Sequence, residues 1–210
     1  MKLITFYTPK YSELADINVP RWNSYCKKYD IEFECFQLPQ QGTRNNFCWD
    51  KIELYSSVFN SVNDCLCWID VDVFLVRDNF DIQNFTKCTD KPMIISSDNN
   101  GICTGFFILK KCDWSIQYLN SMLFLKNIDP NLEVQLKTED AGDQSCAKYL
   151  LGFTNIASNT LILDNDGLIS NPSVGICDNT LAYHYWANGN DDNRIRIVND
   201  MKKLSEQYVL

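Results

Sequence analysis

The stretch Cys65-Leu66-Cys67-Trp68-Ile69-Asp70-Val71-Asp72 decides how the rest of the chain is read. Its first five residues are apolar without interruption, a run too short for an ordinary helix and typical of a strand buried on both faces of a helix-covered sheet. The run ends directly in two aspartates at i and i+2. Side chains two apart on an extended backbone share a face, so both carboxylates emerge on one side and can converge on a cation if the strand end turns. In α/β sheets ligands bind beyond the carboxyl ends of the strands, where these acids fall. Hard oxygen ligands suit Mg2+ or Mn2+, ions that bind through one or two carboxylates together with substrate phosphate. Asp-x-Asp also arises by chance, one residue capping a turn and the other solvated; the buried run in front of it favours the metal reading.

Working outward, residues 3–7 form an apolar, β-branched and aromatic run before Thr8-Pro9, which predicts a strand closing in a loop. Trp22, Tyr25, Cys26 and Tyr29 recur at helical spacing and predict a helix over residues 20–29, followed by an alternating strand at 31–36. Helical spacing returns over 49–60. Strands are predicted at 93–97, 105–109, 160–163 and 181–185, with helices at 114–125, started by Asp113, and at 144–151, capped by Asp143. This alternation predicts a single α/β domain over residues 1–210, Rossmann-like, with a mixed, mostly parallel central sheet flanked by helices.

A chain of 210 residues can bury most of its apolar surface without disulfides or a structural metal. With 45% hydrophobic and 22% charged residues, disorder is excluded. A net charge of -8 repels polyanions and argues against nucleic acid as a partner, whereas a nucleotide diphosphate could bind beside a local cation. The ten cysteines include no C-x-x-C pair and no signal peptide opens the chain, which predicts free thiols in a reducing, cytoplasmic setting. The longest apolar runs fall short of the roughly 20 residues a membrane span requires. A short amphipathic stretch before the last residues leaves room for the chain to be one domain of a longer polypeptide.

His184 is the only histidine, set in the aromatic run Tyr183-His184-Tyr185-Trp186. Alone it reads as a hydrogen-bonded structural residue. Beside a carboxylate pair, its neutral imidazole suits manganese as a third protein ligand.

Taken in order, Trp49-Asp50-Lys51-Ile52, Trp68-Ile69-Asp70-Val71-Asp72, Thr104-Gly105-Phe106-Phe107, Asp140-Ala141-Gly142-Asp143-Gln144, then His184 and Gly189, resemble the retaining GT-A glycosyltransferases. The pattern is similar both to the glycogenin-like group and to fungal and plant galactosyl, mannosyl and xylosyl transferases, and it spans nearly the whole chain. The compact size also resembles the glycosyltransferase domains of chlorella-virus proteins that build capsid glycans, for which the host cytoplasm would be the setting. The resemblance implies a GT-A domain that binds nucleotide up to about residue 100, with the acceptor side and the metal-ligand histidine beyond. It implies transfer of a sugar, with retention, from a nucleotide-sugar donor (UDP-linked by family habit) to a hydroxyl of a glycan or glycoprotein acceptor. Carried over by position, Asp70, Asp72 and His184 would hold Mn2+ or Mg2+. Tyr7, Thr8 and Tyr11 would hold base and ribose, and Lys51 would meet the diphosphate. Thr104, Gly105 and Gly189 would lie on the donor side, Asp98 and Asp140 would reach sugar hydroxyls, and Asp143 and Gln144 would face the anomeric carbon. Lys51 reads nearly as well as a solvated helix lysine, and Asp143 as a helix N-cap, a role compatible with the site.

Two positions depart from the pattern. Cys103 stands where glycogenin-like members carry asparagine, which puts sugar contacts there in question. After Gly189 the family's lysine is replaced by Asn190, Asp191 and Asp192, leaving Arg194 as the nearest base to clamp the leaving diphosphate. An apolar strand ending in Asp-x-Asp is also the nucleophile motif of haloacid-dehalogenase-like phosphatases. There it closes the first strand, whereas here a β-α-β segment precedes it. A catalytically silent sugar-binding or interaction domain is the remaining alternative.

Overall fold

A computed structural model describes residues 1–39, 44–99, 101–128, 142–163, 168–186 and 191–209. The strands are β1 (Lys2–Tyr7), β2 (Glu32–Gln37), β3 (Cys65–Ile69), β4 (Val73–Leu75), β5 (Met93–Asp98), β6 (Gly101–Lys110), β7 (Thr160–Leu163), β8 (Ile169–Ser170) and β9 (Ala182–His184). The helices are α1 (Ser12–Lys28), α2 (Arg44–Ser61), α3 (Gln83–Cys88), α4 (Asp113–Ile128), α5 (Asp143–Leu151), α6 (Thr154–Ser158) and α7 (Asp191–Gln207). The main sheet has six strands in the order β2-β1-β3-β6-β5-β7. Strand β1 runs parallel to both β2 and β3, β6 is antiparallel to β3 and β5, and β7 is parallel to β5, so β6 alone runs against the rest. The chain steps from β1 outward to β2 and then returns to β3 on the other side. That reversal opens a crevice between the carboxyl ends of β1 and β3.

The period of two along β3 explains its unbroken apolar run. Leu66 and Trp68 pack with Tyr55 and Phe59 of α2, Tyr118 and Met122 of α4 and Leu150 of α5 on one side. Cys65, Cys67 and Ile69 pack with Trp22, Tyr25 and Cys26 of α1 and Phe85 of α3 on the other. The phenol of Tyr55, deep in the first layer, donates to Leu66 O (2.7 Å) and accepts from Leu109 N–H (3.2 Å), so its burial leaves no polar atom orphaned.

Three of the elements that differ from the sequence expectation bear on the site. Helix α1 starts at Ser12, well before residue 20, because Leu14, Ala15 and Asn18 extend the buried stripe of Trp22, Tyr25 and Cys26 upstream. Pro20 is inside it, on the exposed face, where solvent can take the carbonyl left without a donor. Strand β6 begins four residues before the predicted strand, at Gly101. Residues 181–185 contribute only Ala182–His184 to a strand, and it belongs to a second sheet of order β4-β9-β8. That sheet is held against α1 and α7 by Leu14, Phe74, Ile197, Val198 and Met201. All ten cysteines are free thiols, and no helix among the described residues is long and apolar enough to cross a membrane.

Candidate metal centre

The chain turns immediately after β3. Asp70 N–H donates to Gly105 O (2.8 Å), and Val73 N–H closes the turn on Asp70 O (2.9 Å). The buried amide of Asn18 clamps the segment that follows, donating from Nδ2 to Val71 O (3.0 Å) and Val73 O (2.7 Å) while Oδ1 accepts Leu75 N–H (3.3 Å). Trp22 Nε1–H adds a bond to Val73 O (2.9 Å). Strand β4 then pairs antiparallel with β9, Val73 opposite His184, and Tyr185 N–H donates to Asp72 O (3.1 Å). This pairing carries His184 to the aspartates. One ligand atom from each of Asp70, Asp72 and His184 can be chosen so that all lie within 4.8 Å of one another, with His184 Nε2 at 3.5 Å from Asp72 Oδ1.

A bulge in β6 completes the pocket around the imidazole. The register with β5 jumps from Ile95 opposite Phe107 to Ser96 opposite Cys103, so residues 104–106 have no partners on β5. Ser96 Oγ lies 3.0 Å from Cys103 O and 3.2 Å from Phe106 O, supplying a donor to carbonyls that the broken ladder leaves behind. The bulge brings Gly105 against the ring of His184. A Cβ at residue 105 would sit 2.4 Å from His184 Cε1, 2.8 Å from Nδ1 and 2.9 Å from Nε2, so glycine is required here by close approach. The ring's Nδ1 faces Cys103 Sγ at 3.1 Å.

Lys51 is buried, only 5% exposed, and is no solvated helix lysine. Its ammonium donates to Thr104 O and Thr104 Oγ1 (both 3.2 Å) and lies 3.4 Å from Asp70 Oδ1 and 2.6 Å from Asp143 Oδ2. Burial alone would lower its pKa; the carboxylates of Asp143 and Asp70 outweigh that and hold it above the ordinary lysine value. The contact with Asp143 is the shorter of the lysine's two carboxylate contacts. Asp143 is therefore not the predicted N-cap: Gly142 occupies that position without a side-chain bond, and Asp143 starts the first turn of α5 with its carboxylate turned to Lys51.

Asp70 Oδ1 also accepts Trp68 Nε1–H at 2.6 Å. With Trp68 and Lys51 on one oxygen, the carboxylate is oriented from behind, as outer partners orient metal ligands. Its side chain keeps 29% exposure. Burial first, and Asp72 behind it, push its pKa up against the opposing pull of Lys51 and His184. For His184, burial pulls downward, but Cys103 and Asp72 together hold the imidazole well above its usual range. Two anionic oxygens and an imidazole nitrogen in this space fit a hard or borderline divalent cation such as Mn2+ or Mg2+.

The structure thus gathers Lys51, Asp70, Asp72, Thr104, Gly105, Asp143 and His184. Tyr7 ends β1, at the crevice, with its hydroxyl 3.3 Å from Gln37 Oε1; Thr8 is buried beside it, and Tyr11 packs under the α1 and α7 layer. Gln144 is half-buried at the second position of α5. Asp98 ends β5 opposite Gly101. Arg194 is paired with Glu13 (3.2 Å) and sits 3.8 Å from Asp191, itself bound by Lys10 at 2.9 Å. Asp140 and Gly189 lie outside the described residues. Sequence reasoning did not single out Asn18, Trp68 or Ser96, nor the contact of Cys103 with His184. Of these, Trp68 alone carried a signal, its i, i+2 spacing to Asp70.

No protein-family model and no curated protein matches the chain. Solved structures do. A glycosyltransferase involved in glycosylation of the major capsid of PBCV-1 superposes with a TM-score of 0.74 at 15% identity, over 96% of this chain and 98% of that one. The galactosyltransferase LgtC, in complex with donor and acceptor sugar analogues, gives 0.61 at 10% identity over 100% and 97%. An active-site mutant of LgtC gives 0.59 at 10% identity over the same shares, 100% and 97%. The mixed sheet and its flanking helices are those of the GT-A glycosyltransferase fold.

Proposed function

We propose that this chain is a metal-dependent glycosyltransferase that moves a sugar from a nucleotide-sugar, a UDP-sugar in the first instance, to a hydroxyl of a glycan or glycoprotein, with retention. The observation that carries the reading is the convergence of Asp70, Asp72 and His184 within 4.8 Å at the carboxyl end of β3, beside a buried lysine. A bound Mn2+ or Mg2+ would supply Lewis-acid stabilisation of the charge that builds on the departing diphosphate. Asp70, Asp72 and His184 would hold it, and Lys51 keeps Asp70 in place from behind. Tyr7, Thr8 and Tyr11, at the end of β1, would take base and ribose in the adjoining crevice.

Retention requires a covalent enzyme intermediate or same-face attack within an oriented ion pair. Asp143 shares its charge with Lys51 at 2.6 Å, which makes its carboxylate a weaker nucleophile. That pairing favours the second route, with Asp143 and the neighbouring Gln144 stabilising the oxocarbenium-like sugar and the acceptor hydroxyl attacking from the leaving-group side. Trp186 adopts φ 55°, a costly conformation for a bulky residue, and its buried indole N–H has no hydrogen-bond partner among the described residues. Likeness to a glycosyltransferase involved in glycosylation of the major capsid of PBCV-1 and to LgtC in complex with donor and acceptor sugar analogues supports a glycan acceptor, a capsid glycoprotein among them. Action in the cytoplasm, the host's if the chain is viral, is part of this reading.

The test is calorimetric titration of UDP into wild type and Asp72→Asn, each with Mn2+ and with chelator, followed by UDP-sugar hydrolysis. Binding that needs both metal and Asp72 is the expected result. Phosphate release from simple phosphomonoesters would point to a phosphatase, and metal-dependent binding without turnover of any nucleotide-sugar to a silent domain.

A further inference from the structure

The contact between Cys103 and His184 has no part in the function proposed above, yet it bears on the same ring. We propose that Cys103 is a positioning residue for His184: its sulfur accepts the Nδ1–H hydrogen bond that leaves Nε2 unprotonated and turned toward the aspartates. The inference rests on the reading of Asp70, Asp72 and His184 as a cation site.

Cys103 Sγ stands 3.1 Å from His184 Nδ1, within hydrogen-bonding range for sulfur. Both residues are buried, 2% and 8% exposed, so water does not compete for the ring nitrogen. The close face of Gly105 and the backbone pairing of β4 with β9 fix the ring's place and direction. In the neutral ring that a metal requires, this hydrogen bond has two possible directions. If the thiol donates to Nδ1, the ring proton resides on Nε2, pointing at Asp72 Oδ1 3.5 Å away and blocking the lone pair. If Nδ1–H donates to sulfur, the Nε2 lone pair is free for a cation shared with the carboxylates. A cation at Nε2 selects the second direction, and the sulfur then does what an oxygen of a carboxylate or carbonyl does for most metal-bound histidines. The bulge that displaces residues 104–106 ends at Cys103, and its Ser96 hydroxyl lies 3.0 Å from Cys103 O, so the sulfur's position is itself held.

His184 is the only imidazole in the chain, so an untagged, 15N-labelled protein gives a single set of ring signals in a long-range 1H–15N spectrum. With saturating Mg2+ the wild type is expected in the Nδ1-protonated form. Cys103→Ala should weaken Mn2+ binding about tenfold, measured with and without UDP, as loss of an outer partner commonly does. Cys103→Ser, which restores an acceptor, should recover most of the affinity. Cys103→Val fills the volume without an acceptor and serves if the alanine variant does not fold. Wild-type Mn2+ affinity in Cys103→Ala or Cys103→Val overturns the proposal while leaving the cation site standing. Absence of any Mn2+ or Mg2+ binding by the wild type removes the cation site, and the proposal with it.

Discussion

Replacing Gly105 with alanine places one methyl group against the imidazole of His184, and the structure fixes how badly it fits. The new Cβ would lie 2.4 Å from Cε1, whereas carbon atoms rest at about 3.5–4.0 Å. The ring, or the β6 bulge, must therefore move by about 1 Å or more. No positive φ is involved at residue 105, so the penalty is steric. Overpacking of this kind costs about 1–3 kcal/mol. At roughly 2–4 °C per kcal/mol for a domain of this size, Tm should fall by about 2–12 °C. Metal–ligand distances tolerate only about 0.2 Å, so a ring displaced by about 1 Å no longer ligates, and Mn2+ affinity should fall at least tenfold. The decisive assay is a double-mutant cycle with His184→Ala, followed by thermal denaturation and Mn2+ titration. Once the ring is gone the methyl has room, so Gly105→Ala on that background should cost little. An equal Tm loss on both backgrounds, or unchanged Mn2+ binding in Gly105→Ala alone, would refute the argument that glycine serves the approach of His184.

Lys51→Met should destabilise the fold by about 3–5 kcal/mol, because it leaves the buried carboxylate of Asp143 without its cation; Lys51→Met with Asp143→Leu should regain most of that in chemical denaturation without regaining donor hydrolysis. Asn18→Ala strands the carbonyl of Val71 and the amide of Leu75 and leaves Val73 O to Trp22; a loss of about 1–3 kcal/mol in urea unfolding is expected, with weaker Mn2+ binding as the Asp70–Asp72 turn loosens. Thiol labelling of the folded protein, read by mass spectrometry, should modify the exposed Cys88, Cys112 and Cys177 and spare Cys26, Cys65 and Cys67. Cys177 should react first, because the Thr180 hydroxyl and nearby amides hold its thiol below the usual value, whereas burial pushes Cys26 up to about 12. Fast labelling of Cys26 would contradict the packing of α1 on the sheet.

The parts of this site that can be read from the sequence are those whose environment imprints a local pattern. Strand β3 is legible because helices cover both its faces, so each residue is apolar until the strand ends at Asp70. Helix α5 is legible by spacing, but the task of Asp143 is not: an acid at a helix start satisfies the cap rule equally well, and only the approach of Lys51 from α2 decides otherwise. For Lys51 the same holds in reverse, since whether an ammonium is solvated or enclosed depends on carboxylates from β3 and α5 that helical periodicity does not encode. The Asn18 clamp was missed because residues 12–19 carry a weaker apolar signal than the aromatic stripe after Pro20. Gly105 could be noticed by motif, yet its reason, the ring of His184 above its Cα, is a tertiary fact. Arg194 looked like a base free to meet phosphate, and the structure pairs it with Glu13.

The pairing of β4 with β9 joins a segment from the first half of the chain to one near its end. During synthesis the strand that presents Asp70 and Asp72 can dock on β1 long before His184 has been made, since all that part needs is already in place. Loop-closure entropy makes contacts of such long sequence separation late and slow to form. The nascent protein would then pass through a stage in which the sheet exists and the aspartates repel one another with no third ligand beside them. Capture of a divalent ion would mark the end of folding, pulling the β4–β9 pairing toward completion by mass action. Refolding that accelerates or reaches higher yield when Mn2+ is present would be the kinetic trace of a centre closed by the last-made strand.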